Sequence, residues 1–320
     1  MDKKDDLTIR KFDDSDAEDI SRVHNLLYPD MKQSVESFRL GDENRADKCK
    51  HQRYVAELDG EVVGHGLYTQ TEWNYQEGKF RIDIEIHPDY QGEGYGSKLY
   101  RHLMDELEEY DPVKLVCYAK EDKESSIRFL KDRGFESFMR EWISMLDVDE
   151  FDPEEYAGLE EKLAEKDIVL TSLKELEHGE ENKRKLYELH EELYEDVPTH
   201  DEYTGMDYDR YIESVFDRSE PFFEGIIIAV KDGEFIGMCR NILNQEDDSL
   251  FTWLTGVKRE YREKGIATAM KVKAIKKAKE KGIPKIKTSN ETGNEAIVNL
   301  NDELGFEKKP ASISFKKESV

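Results

Sequence analysis

The sequence predicts a mixed α/β fold, an α+β mixed sheet carrying helices, built twice in tandem. Three observations carry that prediction. Gln91-Gly92-Glu93-Gly94-Tyr95-Gly96 returns as Arg262-Glu263-Lys264-Gly265-Ile266-Ala267, a shift of 171 positions. Other punctuation keeps nearly the same shift: Gly134-Phe135 answers Gly305-Phe306 at 171, while Asp59-Gly60 answers Asp232-Gly233, and Gly64 answers Gly237, at 173. Between these landmarks, alternating apolar runs give way to helical spacing in the same order in both halves. A chain of 320 residues accommodates two such cores. The expected division is residues 1–150, an acidic linker at 151–166, and residues 167–320.

In the N-terminal repeat, residues 7–12 read as a strand, followed by an acidic helix start at 13–19. Ile20, Val23, Leu26 and Leu27 then keep helical spacing. Two apolar runs meeting at Asp59-Gly60 predict a hairpin with a tight turn. Residues 80–86 alternate strictly and predict a strand with one apolar face. Pro88 ends it, and Leu99, Leu103, Met104 and Leu107 mark the helix after the glycine turn. A strand at 113–118, a short helix closed by Gly134 and a strand at 138–148 complete the unit. The C-terminal repeat runs in parallel: strand 168–173, helices 180–194 and 208–216, a hairpin around Asp232-Gly233, strand 250–257, helix 265–281, strand 286–289, helix 294–304 and strand 312–316. The linker carries Pro153 and few apolar residues, which predicts a partly helical connection.

Composition narrows the function classes. Net charge is −26, with 22 Lys/Arg against 36 Asp/Glu in residues 1–150 and 26 against 38 in the remainder. Acidity spread over both halves argues against nucleic acid as a partner, because phosphate binding needs a basic face. It reads as a solvated surface suited to a salty interior, with a field that concentrates cationic amines as the alternative. Cys49, Cys117 and Cys239 form no CxxC, so neither a disulfide framework nor a metal site is expected, and the chain is expected to be cytoplasmic. No apolar stretch follows the first residues, and the longest aliphatic run, Ile226 to Val230, is too short to cross a bilayer. No membrane partner is expected, and a monomer and a homodimer fit equally.

The glycine turn is the candidate functional element. A strand, a tight turn and an amphipathic helix aim successive backbone N–H groups at one spot, where the positive helix end adds to them. That is an anion site. Glycines permit positive φ and leave no Cβ in a ligand's way, and Ala267 is small enough to stand where Gly96 does. Neither copy has the Walker spacing, and the dinucleotide pattern fails because Ser97 occupies its third glycine position.

These residues resemble the acetyl-CoA signature of the GNAT superfamily of N-acetyltransferases: a strand, then Q/R-x-x-G-x-G/A, then a helix. Residues 84–107 and 254–278 both satisfy it. The endings Phe129-Leu-Lys-Asp-Arg-Gly-Phe135 and Leu300-Asn-Asp-Glu-Leu-Gly-Phe306 are similar to the family's as well, and the tandem arrangement resembles that of the mycothiol synthases. The resemblance implies acetyl-CoA as the cofactor and acetyl transfer to a primary amine of a small molecule or peptide. It implies that backbone amides of Gln91, Gly92, Glu93, Gly94, Tyr95, Gly96 and Ser97, and of Arg262, Glu263, Lys264, Gly265, Ile266, Ala267 and Thr268, cradle the diphosphate. The strand ends at Ile86 and Val257 would pair with pantetheine like an added strand, in a slot opened by splaying. Asn294 matches the family's side-chain contact to the cofactor arm, with Asn290 nearby. Two departures stand out. Lys123 replaces the asparagine in the N-terminal repeat, and the family's proton-donating tyrosine falls at Leu130 and Asn301.

Amine acetylation needs a proton acceptor and donors for the developing oxyanion. Glu85 is the N-terminal candidate base; its plain alternative is a solvent-facing strand carboxylate beside Asp83. The corresponding C-terminal residues, Thr255 and Gly256, cannot be bases, which leaves a carboxylate from elsewhere, such as Glu224 or Glu291, or a water relay. Tyr118 is a candidate acid. His87 and His190 are expected at the surface. Because it keeps both the turn and Asn294, the C-terminal repeat is expected to be the catalytic one. The alternative function is a non-catalytic acyl-CoA sensor or scaffold, motivated by the absent tyrosines.

Overall fold

The two Asp-Gly pairs turn as their spacing predicts. Asp59 and Gly60 sit at φ 52° and 84°, and Asp232 and Gly233 at 51° and 79°. That left-handed pair closes each hairpin with the twist its strands need. The computed structural model describes residues 7–43, 46–72, 74–198, 203–217, 221–244 and 246–318. Its elements follow in chain order: β1 (Thr8–Lys11), α1 (Ala17–Leu27), α2 (Val35–Glu43), β2 (His51–Leu58), β3 (Glu61–Thr69), β4 (Lys79–Ile86), α3 (Tyr95–Leu107), β5 (Lys114–Lys120), α4 (Glu124–Lys131) and β6 (Glu136–Asp147). The second half gives α5 (Leu159–Ala164), β7 (Ile168–Ser172), α6 (Glu180–Tyr194), α7 (Tyr208–Phe216), β8 (Ile226–Lys231), β9 (Glu234–Asn244), β10 (Ser249–Val257), α8 (Ile266–Glu280), β11 (Lys285–Glu291), α9 (Glu295–Glu303) and β12 (Glu307–Glu318). Helix α2 is absent from the sequence reading, which found no helical stripe there; its counterpart α7 was anticipated.

The chain divides into residues 1–139 with 313–320, and residues 140–312. In the first unit the strand order is β1-β2-β3-β4-β5-β12, and in the second β6-β11-β10-β9-β8-β7. Each unit is thus completed by the last strand of the other repeat. Within each sheet one central pair is parallel, β4 with β5 and β10 with β11, so the expected mixed sheet is present twice.

Each sheet carries helices on both faces. In the first unit Leu99, Leu103 and Leu107 of α3 pack under Ile82, Ile86 and Leu115. The opposite face buries Ile20 and Phe38 against Val55 and Val62. In the second unit Ala269, Met270 and Ala274 of α8 cover Ile227, Ile236 and Val257, while α6 and α7 bring Leu189, Leu193 and Tyr211 onto Ile228, Met238 and Leu254. Removing such apolar area from water is the dominant stabilising term, about 25 cal/mol per Å². The acidic stretch after β6 is helical in part, and its Phe151 and Leu163 are buried in the second unit.

Gly64 and Gly237, two of the repeated landmarks, have a packing explanation. A Cβ on Gly64 would lie 2.5 Å from the Glu85 carbonyl oxygen, and one on Gly237 3.2 Å from that of Gly256. Only glycine lets the neighbouring strands approach so closely there.

Both sheets fork at the parallel pair. β4 and β5 are in register only from Lys79↔Lys114 to Arg81↔Val116. β10 and β11 are in register only from Ser249↔Lys285 to Thr252↔Thr288. Past those pairs the strand ends at Ile86 and Val257 stay bonded on one side alone, to β3 and β9. In the second unit a bulge between Thr252 and Leu254 accompanies the fork. No helix among the described residues is long and apolar enough to cross a membrane, and no cluster among them is suited to hold a metal ion.

Candidate active site

The two glycine turns have the same shape. Gly94 and Gly265 cap α3 and α8 in the left-handed conformation, at φ 87° and 78°. Gly92 sits at φ 85°, and the residue in its place, Glu263, adopts φ 60° although it is not glycine. A left-handed non-glycine residue costs roughly 1–2 kcal/mol, so the turn's geometry is kept against a local penalty. Open space faces Gly92, Gly94 and Gly265. A Cβ on Gly96 would meet Phe129 and Ile86 at 3.6 and 3.8 Å, ordinary contact, which explains why Ala267 fits. The first residue of each turn ties it to the preceding strand: Gln91 Nε2 donates to the Ile86 carbonyl and Arg262 Nε to that of Val257, both at 2.9 Å. Arg262 also pairs with Asp196, whose carboxyl Arg259 and Arg262 hold down at about 2. Amides at the start of a helix generally lack an acceptor one turn back, but here Ser97 N–H is already given to the Gly94 carbonyl at 3.0 Å. Tyr95 and Ile266 are buried beneath, while Ser97 Oγ accepts from Arg133 at 2.7 Å. Thr268, in the same place on α8, is half-buried.

The strand before the first turn carries an unexpected polar cluster. Glu85 is neither solvent-facing nor paired with Asp83, the plain alternative of the sequence reading. Its carboxylate lies 3.0 Å from His24 Nδ1 and 3.1 Å from His65 Nε2, and its side chain is 11% exposed. His24 comes from α1, and His65 from the cross-strand position opposite Glu85 on β3. His65 Nδ1 accepts from Arg53 at 3.3 Å, which sets the Nε2–H tautomer toward Glu85. His24 Nε2 meets the Met31 carbonyl at 3.2 Å. Burial would raise the Glu85 pKa, but the neighbouring histidines outweigh it and hold the carboxyl well below the usual range. Tyr28 shares the site: burial, then Glu85 and Asp83, push its hydroxyl pKa up, so it stays protonated. On the same face, Arg81 pairs with Asp83 at 2.5 Å and lies 5.2 Å from the Tyr118 ring centre, on β5 just past the fork. An ionised, desolvated carboxylate one residue before a forked strand end can hold a cationic amine.

The second unit lacks this chemistry at the matching place. Gly256 stands opposite Met238, where Glu85 stands opposite His65. Leu193 of α6 fills the space, so that a Cβ on Gly256 would lie 3.1 Å from it. His190, expected at the surface, is 1% exposed. Burial, reinforced by Arg240, lowers its pKa to about 3. Burial and the neighbouring Arg240 charge together keep this imidazole neutral.

The sequence carried a signal for these groups that was not read. Val23-His24-Asn25-Leu26-Leu27-Tyr28 returns as Leu189-His190-Glu191-Glu192-Leu193-Tyr194, 166 positions on. Its shift differs from the turn's, which hid it. The paired rings are matched: His24 and Tyr28 are 4.9 Å apart, His190 and Tyr194 5.3 Å.

Other predicted residues are scattered. Glu224 pairs with Lys174 at 2.6 Å and with Lys281, which caps the far end of α8 from the turn, at 3.1 Å. The Lys174 bond, above all, lowers its pKa to about 2. Glu291 opposes Glu141 across β11 and β6. Asn294 begins α9 without a side-chain capping bond, as Lys123 begins α4. Asn290 accepts from Asn301 Nδ2 at 2.7 Å. Leu130 and Asn301, at the family's tyrosine position, are both buried.

Comparisons with known proteins follow this geometry. The sequence pattern of the acetyltransferase (GNAT) family matches residues 18–135 and 184–306. A tandem GNAT protein from the clavulanic acid biosynthesis pathway superposes with a TM-score of 0.73 at 17% identity, covering 98% of this chain and 99% of that one. A GCN5-related N-acetyltransferase from Sphaerobacter thermophilus gives 0.72 at 18%, covering 98% and 95%. At these identities the likeness concerns the fold. The L-amino acid N-acyltransferase MnaT of Escherichia coli (strain K12) is 31% identical over 85 residues, 25% of this chain; the match spans about half of that relative, 48%. With the pattern matched in both halves, the chain belongs to the acetyltransferase (GNAT) family, whose fold it carries twice in tandem.

Proposed function

We propose that the chain transfers an acetyl group from acetyl-CoA to a primary amine, with the chemistry in the N-terminal repeat and acyl-CoA binding in both. Asn294 favours the C-terminal repeat on the family's pattern. The observation that outweighs it is the Glu85 cluster, which has no counterpart around Gly256. In this reading the diphosphate lies on the amides of the Gln91–Gly96 turn, and pantetheine runs along the free edge of β4 in the fork. The thioester carbonyl is then polarised by backbone N–H near Ile86. Glu85 and Asp83 anchor the incoming ammonium.

The neighbouring histidines hold the Glu85 carboxyl below the usual carboxylate range, which favours the role of anchor over that of proton acceptor. The acceptor amine therefore loses its proton to water. The free nitrogen attacks the carbonyl carbon, the C–N bond forms, the C–S bond breaks and coenzyme A leaves as the thiolate, while the cationic nitrogen gives its second proton to water to leave the neutral amide. In this reading Tyr118, on β5 just past the fork, gives a proton to that sulfur and regains one from water. The part-length likeness to an L-amino acid N-acyltransferase supports an acceptor of amino-acid type, with Arg81 available for its carboxylate. The C-terminal repeat, with its apolar filling, suits holding an acyl-CoA without turnover. Thiol release from acetyl-CoA across a panel of amino acids, polyamines and amino sugars tests the proposal. The expected result is release with one amine class, at a rate rising with pH through that amine's own pKa; no release with any class contradicts it.

A further inference from the structure

The fork of the second unit ends in a short polar ladder. Thr252 Oγ1 donates to Asn241 Oδ1 at 2.6 Å, Thr288 Oγ1 to the Thr252 carbonyl at 3.3 Å, and Asn301 Nδ2 to Asn290 Oδ1 at 2.7 Å. Thr252↔Thr288 is the last paired position before β10 and β11 separate, so Asn290 lies on the separated end of β11. Asn301 reaches that end from α9. Its side chain is 1% exposed, and its Oδ1 is without a hydrogen-bond partner among the described residues. A buried acceptor left unmade is costly, so a partner outside the chain, a water or a ligand, is expected to complete it. In the first unit the matching residue is Leu130, which has no polar atom to complete.

We infer that Asn301 is a binding residue of the C-terminal repeat, whose Oδ1 accepts a hydrogen bond from an amide N–H of an acyl-CoA's pantetheine arm. The inference rests on the reading that this repeat binds acyl-CoA. The chemistry selects the arm: it offers two amide donors on an otherwise thin chain, whereas the thioester offers only acceptors. The side chain that the family gives over to proton delivery would here serve attachment, in keeping with a repeat that holds its ligand without turning it over.

The test uses the full chain carrying Gly94→Asp, so that binding reports the C-terminal repeat, with and without Asn301→Leu, the residue the first unit carries. Two probes are titrated by calorimetry: coenzyme A, and adenosine 3′,5′-bisphosphate, which keeps the nucleotide but lacks the arm. The expected result is a loss of about tenfold in coenzyme A affinity on Asn301→Leu, the size of one neutral hydrogen bond. Affinity for the bisphosphate should change less than twofold, which also certifies the fold. Equal loss for both probes, or unchanged coenzyme A affinity, overturns the inference while leaving the binding site in place. Failure of both probes to bind before Asn301 is changed overturns the reading beneath it as well.

Discussion

The two repeats keep the same histidine–tyrosine pair on the same helix and use it in opposite ways. In the first unit His24 shares a buried carboxylate with His65, one residue before the strand end. In the second, His190 is buried near Arg240 with no carboxylate at the matching strand position, where Leu193 packs on Gly256. The turns, hairpins, forks and helix caps are common to both. Duplication here has held the backbone that would carry a cofactor and let the facing side chains separate. Frame and chemistry are therefore distinct properties of this fold.

Breaking the charged cluster should have the largest effect. Glu85→Gln removes the carboxylate that both histidines face and leaves the amine without an anchor. Removing one partner of a buried charged pair costs about 2–5 kcal/mol, so thiol release should fall by about 100-fold or more. A fall below fivefold would mean that Glu85 does not face the acceptor.

Acid stability sharpens the comparison next. The His190 pKa falls to about 3 from an ordinary 6.5, so between those values the unfolded chain binds the proton first. Stability is lost as pH drops from 6.5, by about 2 kcal/mol at pH 5. Glu85 acts in another window: its pKa is lowered on folding, so its contribution persists above the ordinary carboxylate range and is lost only below it. In denaturant titrations from pH 7 to 5, His190→Phe should flatten the loss; an unchanged slope would show that His190 does not govern it.

The smallest effect concerns the turns. Glu263→Gly should stabilise the chain by about 1 kcal/mol by relieving its left-handed conformation, and Gly92→Ala should destabilise it by a similar amount. Thermal unfolding checks both, and a destabilising Glu263→Gly would show that the Glu263 side chain has a role of its own.

Most of the fold was legible because it is written locally. Asp-Gly pairs, the alternation of Phe80 to Ile86 and helix-closing glycines each act within a few residues. The turn was legible for the same reason, and its repetition pointed to a shared frame. The Glu85 cluster was not, because it joins α1, β3 and β4 across 61 and 20 positions, and only register brings Glu85 opposite His65. Glu224 read as a candidate base from its composition, yet lysines occupy it at the other end of α8. His190 looked like a surface residue because Glu188, Glu191 and Glu192 surround it in sequence, while helical periodicity turns it inward with Leu186, Leu189 and Leu193.

The claim on which the account turns is that the N-terminal repeat does the chemistry. Acetyl-CoA-dependent thiol release should be compared in two full-length variants, Gly94→Asp and Gly265→Asp, each placing a carboxylate in one turn. The account predicts more than 100-fold loss for Gly94→Asp and less than tenfold for Gly265→Asp. The reverse order would move the reaction to the C-terminal repeat and contradict it.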